Sequence, residues 1–323
     1  MPFNNVISRA DADALIPQEV SAEIIKGVSE QNPLLSLARR LPSMSRKQKR
    51  LPVLNALAIA YFVNGSTGLK QTTDLDWTNK YIEAEEIAAI VPVPDDVLDD
   101  AEYDIWGEVR PALVEAFGVA IAQAVLYGTN IPATWTVNLG AAGILAGATA
   151  AGQVLSAAAY ADLYEAILGH TLANVDGVWM AVEADGFGVN GNLAHISMKG
   201  RLRNVRDANG NPVFKGNVQD PTRYELDGTP CYFPTDGTID SAQSLMFSGD
   251  WNQLVYATRQ DITYKLLDQA VIQDAAGNIV YNLAQQDMVA LRAVMRLGFA
   301  LPNPINRQNQ NAATRYPFAV LTA

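Results

Sequence analysis

The chain has 323 residues, enough for two ordinary cores, and its 34 acidic against 23 basic residues leave a net charge of -11. That balance argues against gripping nucleic acid over a broad basic surface, while leaving room for local patches. The single cysteine, Cys231, excludes an intrachain disulfide. The start MPFNNVISRADADALIP has neither the basic opening nor the apolar run of a signal peptide, so a soluble chain made in a reducing compartment is expected.

Short helical patches from residue 14 to 40, punctuated by Pro17 and Pro33 and followed by Pro42, read as an arm with little core of its own. From Leu51 the run LPVLNALAIAYFV is strand-like. The Asn64-Gly65 turn signal and a Thr-rich polar return to Asp76 complete a long hairpin or extended loop. EEIAAIVPVPDD reads as a short strand running into a helix start, with Pro94 and then Asp95 and Asp96 where negative charge suits a helix amino terminus. In YDIWGEVRPALVEAFGVAIAQAVLYG the residues Ile105, Val109, Leu113, Phe117, Ala120, Ala124 and Tyr127 recur every three or four positions. This is the stripe of a long amphipathic helix, which Pro111 should kink or begin.

The most membrane-like stretch, AAGILAGATAAGQVLSAAAYADL, places Gly143 and Gly147 in a GxxxG spacing. It is dominated by Ala and Gly, is cut by Gln153 and reaches Asp162, so it reads as a flexible small-residue connection leading into a helix. Gly, Asn and Asp turns fill the region from about 131 to 244, with a helical patch near residues 160–170 and a strand-like VWMAV. FSGDWNQLVYATRQDITYKLL and VIQDAAGNIVYNL then alternate like strands joined by turns. In DMVALRAVMRLGF the apolar residues Val289, Leu291, Ala293, Met295, Leu297 and Phe299 take every odd position, the period of a strand with one face buried. Arg292 and Arg296 fall on the other face. A helix, an inserted mixed region and then long antiparallel strands is the order of an α+β protein.

Each cue for chemistry has a plainer reading beside it. GFGVNG sets Gly186, Gly188 and Gly191 in a GxGxxG, with Asp207 near the distance of a ribose-binding acid. However, no clean helix start follows, and turn glycines are the plainer account. The acidic run DDVLDDAEYD, from Asp95 to Asp104, reads as a solvated helix start rather than a cation site. The two histidines, His170 and His195, lack metal-ligand spacing and a nearby nucleophile, so no catalytic, cofactor or metal site is expected. SRKQKR concentrates Arg46, Lys47, Lys49 and Arg50. In an acidic protein it suits contact with an acidic neighbour.

Several segments, in order, resemble the major capsid proteins of tailed bacteriophages, whose fold is named after the Hong Kong ninety-seven phage. LIPQEVSAEIIKGVSEQNPLLSLARRLPS resembles the family's amino-terminal arm, and KRLPVLNALAIAYFVNG with IEAEEIAAIVPVPDDVLDDA its extended loop and the return from it. IWGEVRPALVEAFGVAIAQAVLYGTNIPATW resembles the spine helix and its exit into the axial domain, and LRNVRDANGNPVF and LDGTPCYFP that domain's turn elements. GDWNQLVYATRQDITYKLLDQ and DMVALRAVMRLGFALPNP resemble the long peripheral-domain strands, and PFAVLT the strand that closes the axial domain.

The resemblance implies an α+β capsid fold divided into an arm (1–42), an extended loop (43–82), a peripheral domain with the spine helix on antiparallel strands (83–130 and 245–303) and an axial domain (131–244 and 304–323). It implies a structural, non-enzymatic subunit that assembles with itself, as hexamers and pentamers, into an icosahedral head around double-stranded DNA. Partners implied are a separate scaffolding protein, a portal and a decoration protein, with DNA contacted non-specifically, no membrane, and assembly in the bacterial host cytoplasm before residence in the virion. Arg46, Lys47, Lys49, Arg50, Arg292 and Arg296 are the candidate intersubunit contacts. An encapsulin-like nanocompartment shell and, more remotely, a dinucleotide-binding enzyme stand as alternatives.

Overall fold

A computed structural model describes residues 33–63, 68–100, 104–160, 162–169, 177–206, 209 and 224–323. Most of the expected arm lies outside the described residues. Its end forms α1 (Leu34–Leu37), with Leu34 wholly buried, and β1 (Arg39–Arg40), which pairs parallel with a later strand.

β2 (Gln48–Leu54) and β3 (Trp77–Glu83) form the base of the hairpin, paired from Gln48↔Glu83 to Leu54↔Trp77. The strand-like run from Leu51 therefore stops at Leu54. Residues 55–63 and 68–76 join no sheet, and only scattered bonds tie the two arms: the Asn55 and Ala56 N–H groups donate to the Asp76 carbonyl, and the Ile59 N–H to Thr73 Oγ1. β4 (Glu85–Pro94) is longer than its sequence suggested. As an edge strand it tolerates Pro92 and Pro94, and it passes at once into α2 (Asp95–Asp100).

α3 (Ile105–Tyr127) is the long helix, and it runs through Pro111 instead of starting there. Gly128 ends it in the left-handed conformation, its N–H donating to the carbonyls of Ala124 and Gln123. Leu113 and Phe117 are buried on the predicted stripe but Ala120 is exposed, and from Ile121 the burial widens to Ala122, Ala124, Val125 and Leu126 as a second sheet closes over the helix. By length and composition α3 could cross a bilayer. In the fold its apolar residues lie against both sheets.

α4 (Ala133–Leu139), α5 (Ile144–Ala151) and β5 (Val154–Ser156) occupy the stretch read as a flexible connection. The small residues there serve close packing. A Cβ on Gly143 would meet the Gly128 nitrogen at 2.6 Å, and one on Gly147 the Tyr316 hydroxyl at 2.3 Å. α6 (Leu163–Leu168) is the expected helical patch. VWMAV is not a strand but the first five residues of α7 (Val178–Ala184), where Val178, Trp179, Ala181 and Val182 are buried at helical spacing and β-branched propensity yields to that packing. β6 (Gly191–Ala194), α8 (Ile196–Asn204), β7 (Glu225–Leu226), β8 (Thr229–Tyr232) and β9 (Met246–Gly249) follow. Next come β10 (Val255–Leu267), β11 (Val271–Gln273), β12 (Ile279–Asn282), β13 (Met288–Ala300) and β14 (Phe318–Thr322).

Two larger sheets organise these elements. The first has the order β1-β10-β13-β4, the second β5-β14-β9-β6-β8-β7. Pairing is mostly antiparallel, with parallel partners at β1-β10, β5-β14 and β6-β8. β9, expected with the long strands, sits instead beside β14 in the second sheet, so the chain returns to the first sheet only at Val255.

β13 is the strand its period predicted. Leu291 and Ala293 pack on Leu113 and Phe117 of α3, while Leu297 and Phe299 continue into the central cluster with Ile121, Trp135 and Phe318. Burial of each large side chain there stabilises by about 2 kcal/mol. The alternation blurs near its end because the hairpin base crosses the other face. A Cβ on Gly298 would lie 2.3 Å from the Glu83 carbonyl, so only glycine fits. In the second sheet β14 sends Phe318 and Val320 toward α3, α4 and α5, and Ala319 and Leu321 toward α6, α7 and α8. Both faces are covered, which explains the unbroken apolar run FAVL.

Candidate assembly surfaces

The basic cluster SRKQKR folds into the entry to β2, with Arg46 and Arg50 exposed. Lys49 Nζ donates to the Pro42 carbonyl at 3.2 Å, and Lys47 Nζ lies 3.5 Å from Glu85. Arg296, on β13 directly opposite Glu86, donates from Nε at 2.8 Å and from Nη2 at 2.5 Å to the same carboxylate oxygen. Glu85 and Glu86 thus draw Lys47 of the basic cluster and Arg296 to the start of β4. Such exposed pairs contribute at most about 1 kcal/mol each, so they orient the hairpin base more than they stabilise it. Arg292 stands apart, exposed, with Lys265 and Ile90 as its cross-strand neighbours.

At the end of its paired base and beyond it, the hairpin leaves large apolar side chains uncovered, chiefly on its first arm, while residues 70–74 of the return are polar. Ile59, Tyr61, Phe62, Val63, Leu69, Leu75 and Trp77 are all exposed, Leu69 at 91%. The isolated pair β11-β12 repeats this on a smaller scale, with Val271, Ile279, Val280 and Tyr281 exposed. Contiguous exposed apolar surface on this scale marks a binding surface.

GFGVNG has a use that sequence reasoning missed. Gly186 and Gly188 lie between α7 and β6 and Gly191 opens β6, the reverse of a strand opening into a phosphate-binding helix. Asp185, just before them, is a buried carboxylate. It accepts from the Gln153 side-chain amide, from Asn309 Nδ2 at 2.7 Å and from the Tyr316 N–H at 2.8 Å, while its carbonyl accepts from Asn306 Nδ2 at 2.6 Å. Gly186, at φ +78°, lets Gln308 approach where a Cβ would meet it at 2.9 Å. Together they hold the segment between β13 and β14.

That segment is further fixed by buried Arg315, whose Nε donates to Asn303 Oδ1, Nη2 to the Asn303 carbonyl and Nη1 to the Asn309 carbonyl. Burial lowers the Arg315 pKa, and the nearby Asp185 charge partly restores it. The available signal was the Asn density of NPINRQNQNAATRYP. Asn306, Asn309 and Asn311 each accept a backbone N–H two or three residues on, in successive side-chain turns.

No group of three or more His, Cys, Asp or Glu among the described residues is arranged to hold a metal ion. The acidic run forms α2, with Asp96 and Asp99 exposed, and His195 caps α8 by accepting from the Ser197 N–H. His170 and Asp207 lie outside the described residues.

The Phage capsid family matches residues 12–305. The chain belongs to that family. The major capsid protein of Staphylococcus phage 80alpha is 24% identical over 299 residues, covering 91% of this chain and 84% of that protein. A solved structure from Microbacterium phage Oxtober96 is 34% identical, with 98% of this chain and 99% of that one covered and a TM-score of 0.81. One from Mycobacterium phage Adephagia is 29% identical, with 98% of both chains covered and a TM-score of 0.78. The fold of this capsid protein is the Hong Kong ninety-seven phage type, and the family match favours the phage shell over both the nanocompartment and the dinucleotide enzyme.

Proposed function

We infer that this capsid protein works by assembly: it is the major capsid protein of a tailed phage, and many copies close into the head shell. The observation that carries this is the uncovered apolar hairpin, which one chain leaves exposed and a neighbouring copy would bury. Residues 43–82 serve as the extended loop, and the first sheet with α3 as the peripheral domain. The second sheet, now including Met246–Gly249, is the axial domain, with its turns toward the five-fold and six-fold axes. Arg46, Lys47, Lys49 and Arg50, with Arg292 and Arg296, contribute charge contacts between copies. A scaffolding protein, a portal and a decoration protein complete the head around duplex DNA, assembly takes place in the host cytoplasm, and the protein has no turnover of its own.

Size-exclusion chromatography and electron microscopy of the purified protein, with a scaffold supplied where needed, test this reading; hollow particles are expected, and a persistent monomer under every assembly condition would sink it. Lys47→Glu with Arg50→Glu should leave the subunit folded and impair particle formation. Unchanged assembly would return the cluster to a solvated edge.

A further inference from the structure

A second basic surface lies far along the chain from SRKQKR. From Gly186 to Arg206 the sequence contains no Asp or Glu, while α8 and the residue pair after it carry Lys199, Arg201, Arg203 and Arg206. The helix buries Met198 and Leu202, with Val205 following, against the second sheet. Arg201, Arg203 and Arg206 are exposed, and Lys199 is half-buried. Tyr224 gathers two of these cations: Lys199 Nζ sits 4.2 Å from its ring centroid, and Arg203 Nη2 donates to its hydroxyl at 2.7 Å. The hydrogen bond from Lys199, and then that from Arg203, hold the phenol below its ordinary pKa. Arg206 Nη1 donates to the Arg203 carbonyl at 3.0 Å, so the cluster is ordered before anything binds.

We propose that the Lys199–Arg201–Arg203–Arg206 face of α8 binds the phosphate backbone of duplex DNA. This rests on the reading of the protein as a shell around such DNA. The chemistry of the face separates a polyanion from a second copy of the chain. Contacts between proteins are anchored by large apolar or aromatic side chains; here the aromatic Tyr224 is already engaged by Lys199 and Arg203, and Ile196, 39% exposed at the start of α8, is the one large apolar side chain that the helix exposes. Between its cations it shows Ser197, Gly200 and Asn204, all exposed, and a Cβ on Gly200 would meet nothing within 4 Å. The apolar surfaces that suit a second copy lie elsewhere, on the hairpin and on β11-β12. Small polar residues between arginines let a backbone of phosphates approach closely, and arginine's planar fork suits phosphate oxygens. With a net charge of -11 on the whole chain, the contact is weak, local and salt-sensitive.

The test is fluorescence anisotropy of a short labelled duplex with full-length subunits, separated from particles by sedimentation, between 50 and 200 mM salt. Four phosphate contacts lower the affinity about 100-fold over that range, and Arg201→Ala with Arg206→Ala, which leaves the Tyr224 stack in place, reduces the fall to about tenfold. Arg201→Lys with Arg206→Lys should keep most of the wild-type salt dependence. Wild-type subunits that bind no duplex at 50 mM salt, or an alanine pair with an unchanged slope, would overturn the proposal. An alanine pair that keeps DNA binding but loses particle formation would also overturn it, assigning the face to a second copy. Microscopy of the wild type keeps the two readings apart: particles without DNA binding refute this inference alone, whereas no particles at all refute the shell.

Discussion

Replacing Asp185 with alanine removes the carboxylate that ties the segment between β13 and β14 to the end of α7. Three donors lose their acceptor: the Gln153 amide, Asn309 Nδ2 and the Tyr316 N–H. Asn309 is only partly buried and can turn to water, so it costs little. Gln153 is 5% exposed and Tyr316 7%, so their donors stay sealed. Each buried bond to a charged acceptor contributes about 1.5 to 3 kcal/mol, which for the two sealed donors puts Asp185→Ala at about 3 to 6 kcal/mol. Asp185→Asn can still present one oxygen to the two sealed donors and should cost about 1 kcal/mol. Urea denaturation of unassembled subunits, followed by tryptophan fluorescence, measures both. A loss below about 1 kcal/mol for the alanine variant refutes the hub. An asparagine variant as unstable as the alanine one would show that Arg315 needs the charge, and that the sealed donors matter less.

Three further predictions address other parts of the fold. Gly298→Ala should cost about 1 to 3 kcal/mol by pushing the Glu83 carbonyl and the hairpin base off β13; calorimetry that finds an unchanged melting temperature would contradict the close approach. Burial pushes the Cys231 thiol up to about 12, so a disulfide reagent at pH 8 should label it only on unfolding, and fast labelling of the native chain would count against its buried place on β8 of the second sheet. Asp274 accepts from the Asn278 side chain first, and from the Asn278 and Ala276 N–H groups, which hold its carboxyl below the ordinary aspartate value. A depressed folded pKa means its contribution is complete above the unfolded value and is lost as pH falls through the folded one, so hydrogen-exchange protection factors in β11-β12, taken relative to the intrinsic amide rate at each pH, should fall on acidification, and Asp274→Asn should remove that dependence.

The parts of the fold legible in the sequence are those where one physical cause acts alone. β13 kept its period because α3 covers one face along most of its length, and β14 read as fully buried because both faces are packed. VWMAV misled because its β-branched and aromatic residues favour a strand, while the burial that decides the matter comes from α6, β9 and β14. The Ala- and Gly-rich stretch looked loose because small residues pack tightly only against a partner, here Tyr316 and the turn at Gly128, that is distant in sequence or hidden in the fold. At the candidate surfaces, SRKQKR was visible as a charge run, but its link to Glu85 and the Arg296–Glu86 pair required the register of β4. Asp185 had no local signal, since its three partners come from residues 32, 124 and 131 positions away.

The chain connects the two large sheets at three separate places among the described residues: after Tyr127, between Gly249 and Val255, and from Ala300 to Phe318. A plate hung from one tether can swivel. One fastened at three points, over a continuous cluster that includes Phe247, Phe299 and Phe318, is a braced joint. Its first fastener runs through α4 and α5 to β5, its second is a few residues long, and its third is pinned by Asp185 and Arg315. Any compliance needed to fit one subunit into differently curved surroundings then falls on the parts outside the brace, which are the unpaired arms of the hairpin and the free-standing β11-β12. Rigidity sits at the centre and adaptability at the rim, so stiffening the rim, rather than loosening the centre, is the change that should narrow the range of curvatures these subunits can tile.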